Sequence, residues 1–457
     1  MESTIAAIST AVSQSGIGII RISGPEAMDV IAGIYRSKGG KKDIRKVSTH
    51  TIHYGYIYDG EELVDEVLVM IMKAPRTFTG EDTVEIDCHG GVLSCQKVLE
   101  TVLKNGARIA EPGEFTKRAF LNGRLDLSQA EAVMDVIQAK SDYALKSSME
   151  QLKGSVHKSI EKIRSELIYQ IAYIESALDD PEHISLEGYP QQLLGIVNNL
   201  EKKVQSLLET AGDGKIIKEG IKTVILGKPN AGKSSLLNLL LGENRAIVTD
   251  IAGTTRDILE EYITLQGITL KLIDTAGIRD TEDTVEKIGV RRAKEMAESA
   301  DLILYVVDSS VPLDENDEEI LSMLEGRKAI IIFNKTDLSP VIDVDELTKR
   351  TVHPVIPVSA KEETGIEELE EKIREIFFGG SISFNDEVYI TSARHKEALE
   401  ETRKSLELVK NSIQMDMPED FFSIDLMNAY ESLGKITGES VGEDLVNEIF
   451  SKFCTGK

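Results

Sequence analysis

No run of apolar residues in this 457-residue chain comes near the roughly 18 that a helix needs to cross a membrane. The first residues, Met1-Glu2-Ser3-Thr4-Ile5, lack a basic segment followed by an apolar one, so no secretory signal is expected. Cysteine is scarce. Cys88, Cys95 and Cys454 offer neither a disulfide framework nor a zinc spacing, and a reducing cytoplasm is the expected compartment. Basic residues are outnumbered, 52 against 78 acidic ones, for a net charge of −26. So acidic a chain has no general field with which to attract polyphosphate; any nucleic acid must be held by a local patch or by a basic partner. Internal repeats and low-complexity tracts are also missing. What remains is ordinary for a globular protein, 41% hydrophobic and 28% charged, and the length suits two to three domains.

Glycine and proline punctuate residues 1–118 between strand-like runs: Gly16–Ser23, Thr51–Tyr58, Val67–Met72, and the period-two alternation of Thr83–Cys88. That pattern predicts a β-rich α+β domain. Proline is then absent from Pro112 to Pro181, and apolar residues recur at helical steps: Ala130, Val133 and Ile137, then Ile160, Ile163, Leu167, Ile171, Ile174 and Leu178. Gln191–Glu209 reads as a further helix. Helices so one-sided need partners, which predicts the first half of a bundle over 119–214, with Ala211-Gly212-Asp213-Gly214 read as a break. From Ile221, apolar strands alternate with helices at Thr223–Leu226, Leu270–Ile273, Leu302–Val307, Ala329–Phe333 and Val355–Val358. A doubly wound α/β domain over 215–380 follows, closed by Gly379-Gly380-Ser381. Residues 381–457 return to helical spacing at Leu399, Thr402, Leu406 and Val409. The α/β domain is therefore expected as an insertion in a discontinuous helical domain.

Four motifs in that insertion carry chemistry. Gly227-Lys228-Pro229-Asn230-Ala231-Gly232-Lys233-Ser234 stands between a strand and a helix, the context of a phosphate-binding loop. Asn230, Ala231, Gly232, Lys233, Ser234 and Ser235 would wrap the phosphates, Lys233 as the cation and the Ser234 hydroxyl as a Mg²⁺ ligand. Asp274-Thr275-Ala276-Gly277 follows an apolar strand; Asp274 would hold Mg²⁺ through water and Gly277 would meet the γ-phosphate. Asn334-Lys335-Thr336-Asp337 decides the base, because a carboxylate accepts the ring N–H and amino hydrogens of guanine and would be left unpaired by adenine. Lys335 would lie along the base, and Ser359-Ala360-Lys361 would offer N–H groups to its oxygen. The segment Thr249, Asp250, Ile251, Ala252, Gly253, Thr254, Thr255 reads as the first switch, with Thr255 reaching Mg²⁺. GTP binding and hydrolysis are the expected chemistry. Ile278 stands where a Ras-like enzyme carries the glutamine that orients water, so another group must do that here; Asp280, Glu282, Asp283 and Glu286 are candidates.

The chain resembles the MnmE (TrmE) family of tRNA-modification GTPases along its whole length. The likeness rests on Gly18-Ile19-Ile20-Arg21-Ile22-Ser23-Gly24, Phe78-Thr79-Gly80-Glu81-Asp82, His89-Gly90-Gly91, Pro112-Gly113-Glu114-Phe115-Thr116, Ala119-Phe120-Leu121-Asn122-Gly123, the first switch, and Phe453-Cys454-Thr455-Gly456-Lys457. The resemblance implies a cytoplasmic homodimer that works with the flavoprotein MnmG. Together they would add an aminomethyl-type group to carbon five of the wobble uridine of certain tRNAs, with a tetrahydrofolate (formyl or methylene form) supplying the carbon. It assigns Glu286 to the attacking water and Asn230, Thr249, Ile251 and Thr254 to a potassium ion. It assigns Arg21, Glu85, Arg124 and Lys457 to the folate and Cys454 to the modification, and it implies an amino-terminal domain that dimerises. Such a protein would hold tRNA mainly through its partner, in keeping with its acidity.

Two other readings compete. A ribosome-assembly GTPase shares the nucleotide motifs but calls for an RNA-binding appendage, and residues 385–457 are helical in pattern and not notably basic. A switch that binds GTP without hydrolysing it would not need Ser234, Thr255, Asp274 and Glu286 intact. Cys88 and Cys95 read as half-buried thiols, and His89 as the cap of a strand.

Overall fold

The computed structural model describes residues 3–39, 43–242, 246–247, 261–265, 267–273, 297–379, 388–454 and 456. Contacts divide the chain into two units: residues 1–137, 151–201 and 398–457 form the first, and residues 138–150 and 202–397 the second. The second is thus inserted between two helical stretches of the first. No helix among the described residues is long and apolar enough to cross a membrane.

The first unit opens with strands β1 (Ile5–Ile8) and β2 (Ile17–Ser23), helix α1 (Ala27–Ile34) and strands β3 (Tyr35–Ser37), β4 (Thr51–Asp59), β5 (Glu62–Met72) and β6 (Thr83–His89). Helix α2 (Val92–Lys104) and strand β7 (Arg108–Ile109) complete it. The seven strands form one sheet in the order β3-β4-β5-β6-β2-β1-β7. Alternation decides its faces: Ile20 and Ile22 of β2, Val84 and Ile86 of β6, and Val67, Val69 and Ile71 of β5 are buried against α1 and α2. Each such side chain contributes about 1.5–3 kcal/mol on burial.

Helices α3 (Glu114–Leu121), α4 (Leu127–Gln138), α5 (Asp142–Leu152), α6 (Ser155–Asp179) and α7 (Tyr189–Glu219) follow. Ile160, Ile163, Leu167, Ile171 and Ile174 form the buried stripe of α6; Leu178 and Ile137, read as members of these stripes, are instead exposed. Both stand in the last turn of their helices. The expected break at Ala211–Gly214 is not one, since α7 runs through it. Glycine there serves close packing: a Cβ at Gly214 would collide with the carbonyl of Ile390.

The second unit carries β8 (Ile221–Gly227), α8 (Lys233–Leu241), β9 (Ala246–Ile247), β10 (Glu261–Leu265), β11 (Ile268–Leu272), β12 (Leu302–Asp308), α9 (Glu315–Leu324), β13 (Ala329–Asn334), α10 (Val344–Arg350), β14 (Val355–Pro357) and α11 (Ile366–Phe378). Its sheet order is β14-β13-β12-β8-β11-β10-β9. The pairs from β14 to β11 are parallel and those of β10 antiparallel. Strand β13 is buried along its whole length, as a central parallel strand requires. Helices α12 (Ala393–Gln414), α13 (Glu419–Thr437) and α14 (Glu443–Ser451) end the chain. In the first unit α13 packs on α6, where Arg164 is buried against Glu439 and lies 4.3 Å over the Tyr430 ring.

Candidate functional site

In the second unit, β8 delivers the phosphate loop. Gly227 has φ +152°, and a Cβ there would come within 2.5 Å of the Val306 carbonyl, so only glycine lets β8 turn beside β12. Asn230 and Gly232 also take positive φ before α8 begins at Lys233. Lys233 donates to the carbonyls of Gly227 and Lys228, both at 2.7 Å, and burial pushes its pKa down. The loop thus curls around its own ammonium at the N-terminus of a helix, where anions are favoured. Ser234 and Ser235 occupy the first turn of that helix.

The loop expected to read the base sits against it. Asn334, buried at the end of β13, donates from Nδ2 to the Ala231 carbonyl at 2.9 Å and accepts from the Ala360 N–H at 3.3 Å. Asp337 accepts the Ser359 hydroxyl at 2.8 Å, with the Lys361 ammonium 3.9 Å away. Lys335, expected along the base, takes φ +64° and bonds Asp308 at 2.6 Å. Burial would raise the Asp308 carboxyl, but bonds from Lys335 and Ser310 hold it below the usual range. Phosphate loop, Asn334, Asp337 and Ser359–Lys361 are thus brought together. Thr249–Thr255, Asp274–Gly277, Ile278, Glu286 and Lys457 lie outside the described residues.

Sequence reading missed Lys228. Its ammonium bonds Asp314 at 2.8 Å and also Asp317, and Asp317 accepts the Tyr305 hydroxyl at 2.5 Å. Burial alone would lower the Lys228 pKa, yet the two carboxylates raise it. The only signal was Asp314 and Asp317 at the spacing of a capping box for α9, which they form.

In the first unit, Arg21 and Glu85 are cross-strand partners on β2 and β6, joined at 2.8 Å. Arg21 also donates to the Gly456 carbonyl at 3.2 Å, which accepts Ser9 as well, so the tail is tied to the sheet at Gly456. The Arg21 guanidinium lies 5.8 Å from the Phe78 ring and 5.6 Å from Phe115; Arg124 lies 5.0 Å from Phe78. A cavity of about 450 Å³ adjoins this cluster through Phe78 and Arg124, lined also by Leu125, Gln129, Val133, Val136, Ile137 and Leu152 but not by Arg21 or Glu85. Sequence reading missed Phe78 and Phe115 as members of this site.

Cys454 is exposed, and its carbonyl accepts the Gly113 N–H at 3.3 Å. Cys88 and Cys95, read as half-buried, are fully buried with sulfurs 3.8 Å apart, because β6 and α2 both turn these positions into the core. His89 ends β6; Asp65 accepts its N–H at 2.9 Å, and the His89 Nδ1–Asp65 Oδ1 distance is 2.6 Å, which raises the ring pKa.

A glycine-rich loop between a parallel strand and a helix, tied to an asparagine and aspartate on the next loops, defines a P-loop GTPase. The family model described as the MnmE helical domain matches residues 127–454, and the model described as the GTP-binding protein TrmE N-terminus matches residues 4–124. A protein of Lachnoclostridium phytofermentans named tRNA modification GTPase MnmE is 59% identical over 454 residues, covering 99% of each chain. One of the same name from Bacillus subtilis is 47% identical over 458 residues, covering 99% of this chain and 100% of that one. The solved G domain of the T. maritima FeoB iron transporter is 32% identical and covers 34% of this chain and 97% of that one, with a TM-score of 0.27, too low to bear on the fold. The chain belongs to the MnmE (TrmE) family.

Proposed function

We propose that this chain is a tRNA-modification GTPase. With the flavoprotein MnmG, it would add an aminomethyl-type group to carbon five of the wobble uridine of certain tRNAs. Full-length similarity to relatives that bear that name supports the tRNA role. The observation that carries the finer reading is the convergence, within the first unit, of Arg21, Glu85, Arg124, Phe78 and the tail at Gly456.

These residues fit a tetrahydrofolate. Glu85 is the acceptor for an aminopyrimidine edge, Arg21 and Arg124 are cations for an anionic tail, and Phe78 is an apolar face beside a cavity of suitable size. When bound, the folate would supply the one-carbon unit; Lys457 completes the proposed set. In the second unit, Ser234 is the hydroxyl proposed for Mg²⁺, with Thr255, and Asn230 the side chain proposed for K⁺, with Thr249, Ile251 and Thr254. Glu286 is the residue proposed to position water.

A second copy of the chain is the proposed partner of the amino-terminal sheet. Its outer face carries the cross-strand pairs Ile52–Met70 and Tyr54–Leu68, and Ile52, Tyr54 and Leu68 are exposed. A cluster of that kind is what a homodimer buries. The acidic net charge supports delivery of tRNA by a basic partner.

The test is nucleoside mass spectrometry of tRNA from a deficient strain carrying the wild-type chain or Cys454→Ser. Restoration by the wild type alone supports the reading and assigns the tail to the modification. Restoration by both leaves Cys454 without a role. Restoration by neither, with GTP hydrolysis intact, overturns the tRNA substrate.

A further inference from the structure

Residues 138–150 interrupt the first unit in sequence but belong to the second by their contacts. They stand on the β10–β11 hairpin. Tyr143 covers its turn so closely that a Cβ at Gly267 would come within 2.8 Å of the ring, and Gly267 holds φ +86°. The Thr264 hydroxyl donates to the Lys140 carbonyl at 3.2 Å, and the Lys140 ammonium sits 3.0 Å over the Tyr262 ring. Ala139, Tyr143 and Ala144 join Ile217, Phe378 and Tyr389 in one apolar cluster. The segment is therefore clamped along β10 and at the hairpin's turn.

The hairpin has a particular place in the chain. Strand β10 starts close behind Thr249–Asp257, and β11 ends at Leu272, just ahead of Asp274. Any γ-phosphate-dependent pull on either flank acts on this hairpin, because a strand pair moves as a ladder and not residue by residue.

The two ends of the segment have a place as well. Ile137 immediately precedes it and lines the cavity beside Arg124; Leu152, two residues after it on the continuous helix α5, lines the same cavity. The Leu152 carbonyl accepts from Gln129, another lining residue, at 2.9 Å. Both walls are thus covalently tied to the element that the hairpin holds.

We propose that residues 138–150 are a transmission segment, with Tyr143 and Lys140 as its positioning residues, which passes the nucleotide state of the β10–β11 hairpin to the Ile137 and Leu152 walls of the cavity. This deepens the proposed function and rests on it for the identity of the cavity's ligand. The coupling itself is independent of that ligand. Coupling through a packed segment with two arrangements is reciprocal, so occupation of the cavity also biases the nucleotide site.

The test uses the full-length protein and amide hydrogen exchange, comparing its GDP complex with its complex with a non-hydrolysable GTP analogue. Peptides covering residues 133–137 and 151–153 should differ in exchange rate by at least about fivefold, the lower end of ordinary allosteric coupling. Tyr143→Ala should abolish that difference while retaining nucleotide binding, and Tyr143→Phe, which keeps the ring on Gly267, should preserve it. If Tyr143→Ala does not fold, the pair Lys140→Met and Thr264→Val, which opens no cavity, should diminish the difference. A wild type without the difference, or variants that retain it in full, overturns the proposal. Titration with 5-formyltetrahydrofolate in both complexes separates the two readings. A wild type that couples but does not bind the folate sinks the ligand assignment and leaves the transmission segment standing.

Discussion

The Asn334 side chain donates to the Ala231 carbonyl at 2.9 Å, so the loop proposed to read the base is bolted to the glycine-rich loop proposed to hold the phosphates. A Cβ at Gly232 would run into that same Asn334 amide, which is why the neighbouring position accepts no side chain. Base recognition and phosphate recognition are therefore one rigid object, and Asn334→Ala should weaken GDP and GTP alike. The lost bond is buried, so about 1–3 kcal/mol, or roughly tenfold to a hundredfold in affinity, is expected. Calorimetric titration with both nucleotides measures it, and an effect confined to GTP would contradict the argument.

Asp337 is the residue proposed to set the choice of base. Its carboxylate is held by the Ser359 hydroxyl and faces the site as an acceptor. Asp337→Asn replaces an acceptor with a donor and should lower GTP affinity by about two orders of magnitude, while improving binding of xanthosine triphosphate, which presents an oxygen at the exocyclic position. Competition between the two nucleotides reads the outcome directly.

Lys228 restrains the phosphate loop from outside. Its ammonium is fixed by Asp314 and Asp317, and its carbonyl is one of the two that receive Lys233. Lys228→Met should raise KM for GTP by about tenfold, the loss of roughly 1.4 kcal/mol of preorganisation. Lys228→Arg should recover most of it. A change in kcat with KM untouched would mean that Lys228 acts in the transition state instead.

Stability against acid should depend on Glu114. Its burial would raise the carboxyl, but hydrogen bonds from Arg108, the Glu111 N–H and Arg118 hold the pKa down at about 2, against an ordinary 4.5. A depressed folded-state value means that this contribution is complete above about pH 4.5 and disappears as pH falls toward 2. Glu114→Gln leaves the buried Arg118 with Glu81 as its remaining carboxylate and weakens the bonds from Arg108, and should cost about 1–3 kcal/mol at pH 7. The variant and wild type should converge as the pH approaches 2, which urea unfolding at several pH values can check.

Hydrolysis should require potassium. The potassium site that the family resemblance implies, Asn230 with Thr249, Ile251 and Thr254, would neutralise charge developing on the phosphates in the transition state. Replacement of K⁺ by Na⁺ should slow turnover by at least about tenfold, and Asn230→Ala should remove the difference between the salts. Equal rates in the two salts would end this reading.

Much of the molecule was legible in its sequence because it is written in local patterns. Gly227–Ser234 specifies a strand, a turn with positive φ and a helix within eight consecutive residues. The stripe Ile160–Ile174 specifies a buried helix face by spacing alone. The insertion between two helical stretches showed as a change of period from helical to alternating and back.

Other features were decided only in three dimensions. Arg21 and Gly456 are bonded at 3.2 Å across 435 positions of sequence, and Phe78 receives Arg21 and Arg124 because a loop and a helix end meet there. The glycines at 212 and 214 break no helix, since Gly214 is there to let a backbone approach, and nothing in the neighbouring residues announces that. Segment 138–150 has the composition of its own helical region yet packs with the inserted unit. The physical reason is common to all three. Local pattern encodes dihedral preference and the face to be buried, whereas the identity of the covering surface depends on which distant elements meet when the cores close. That information resides in shape and packing, and so it belongs to the fold and not to any stretch of the chain.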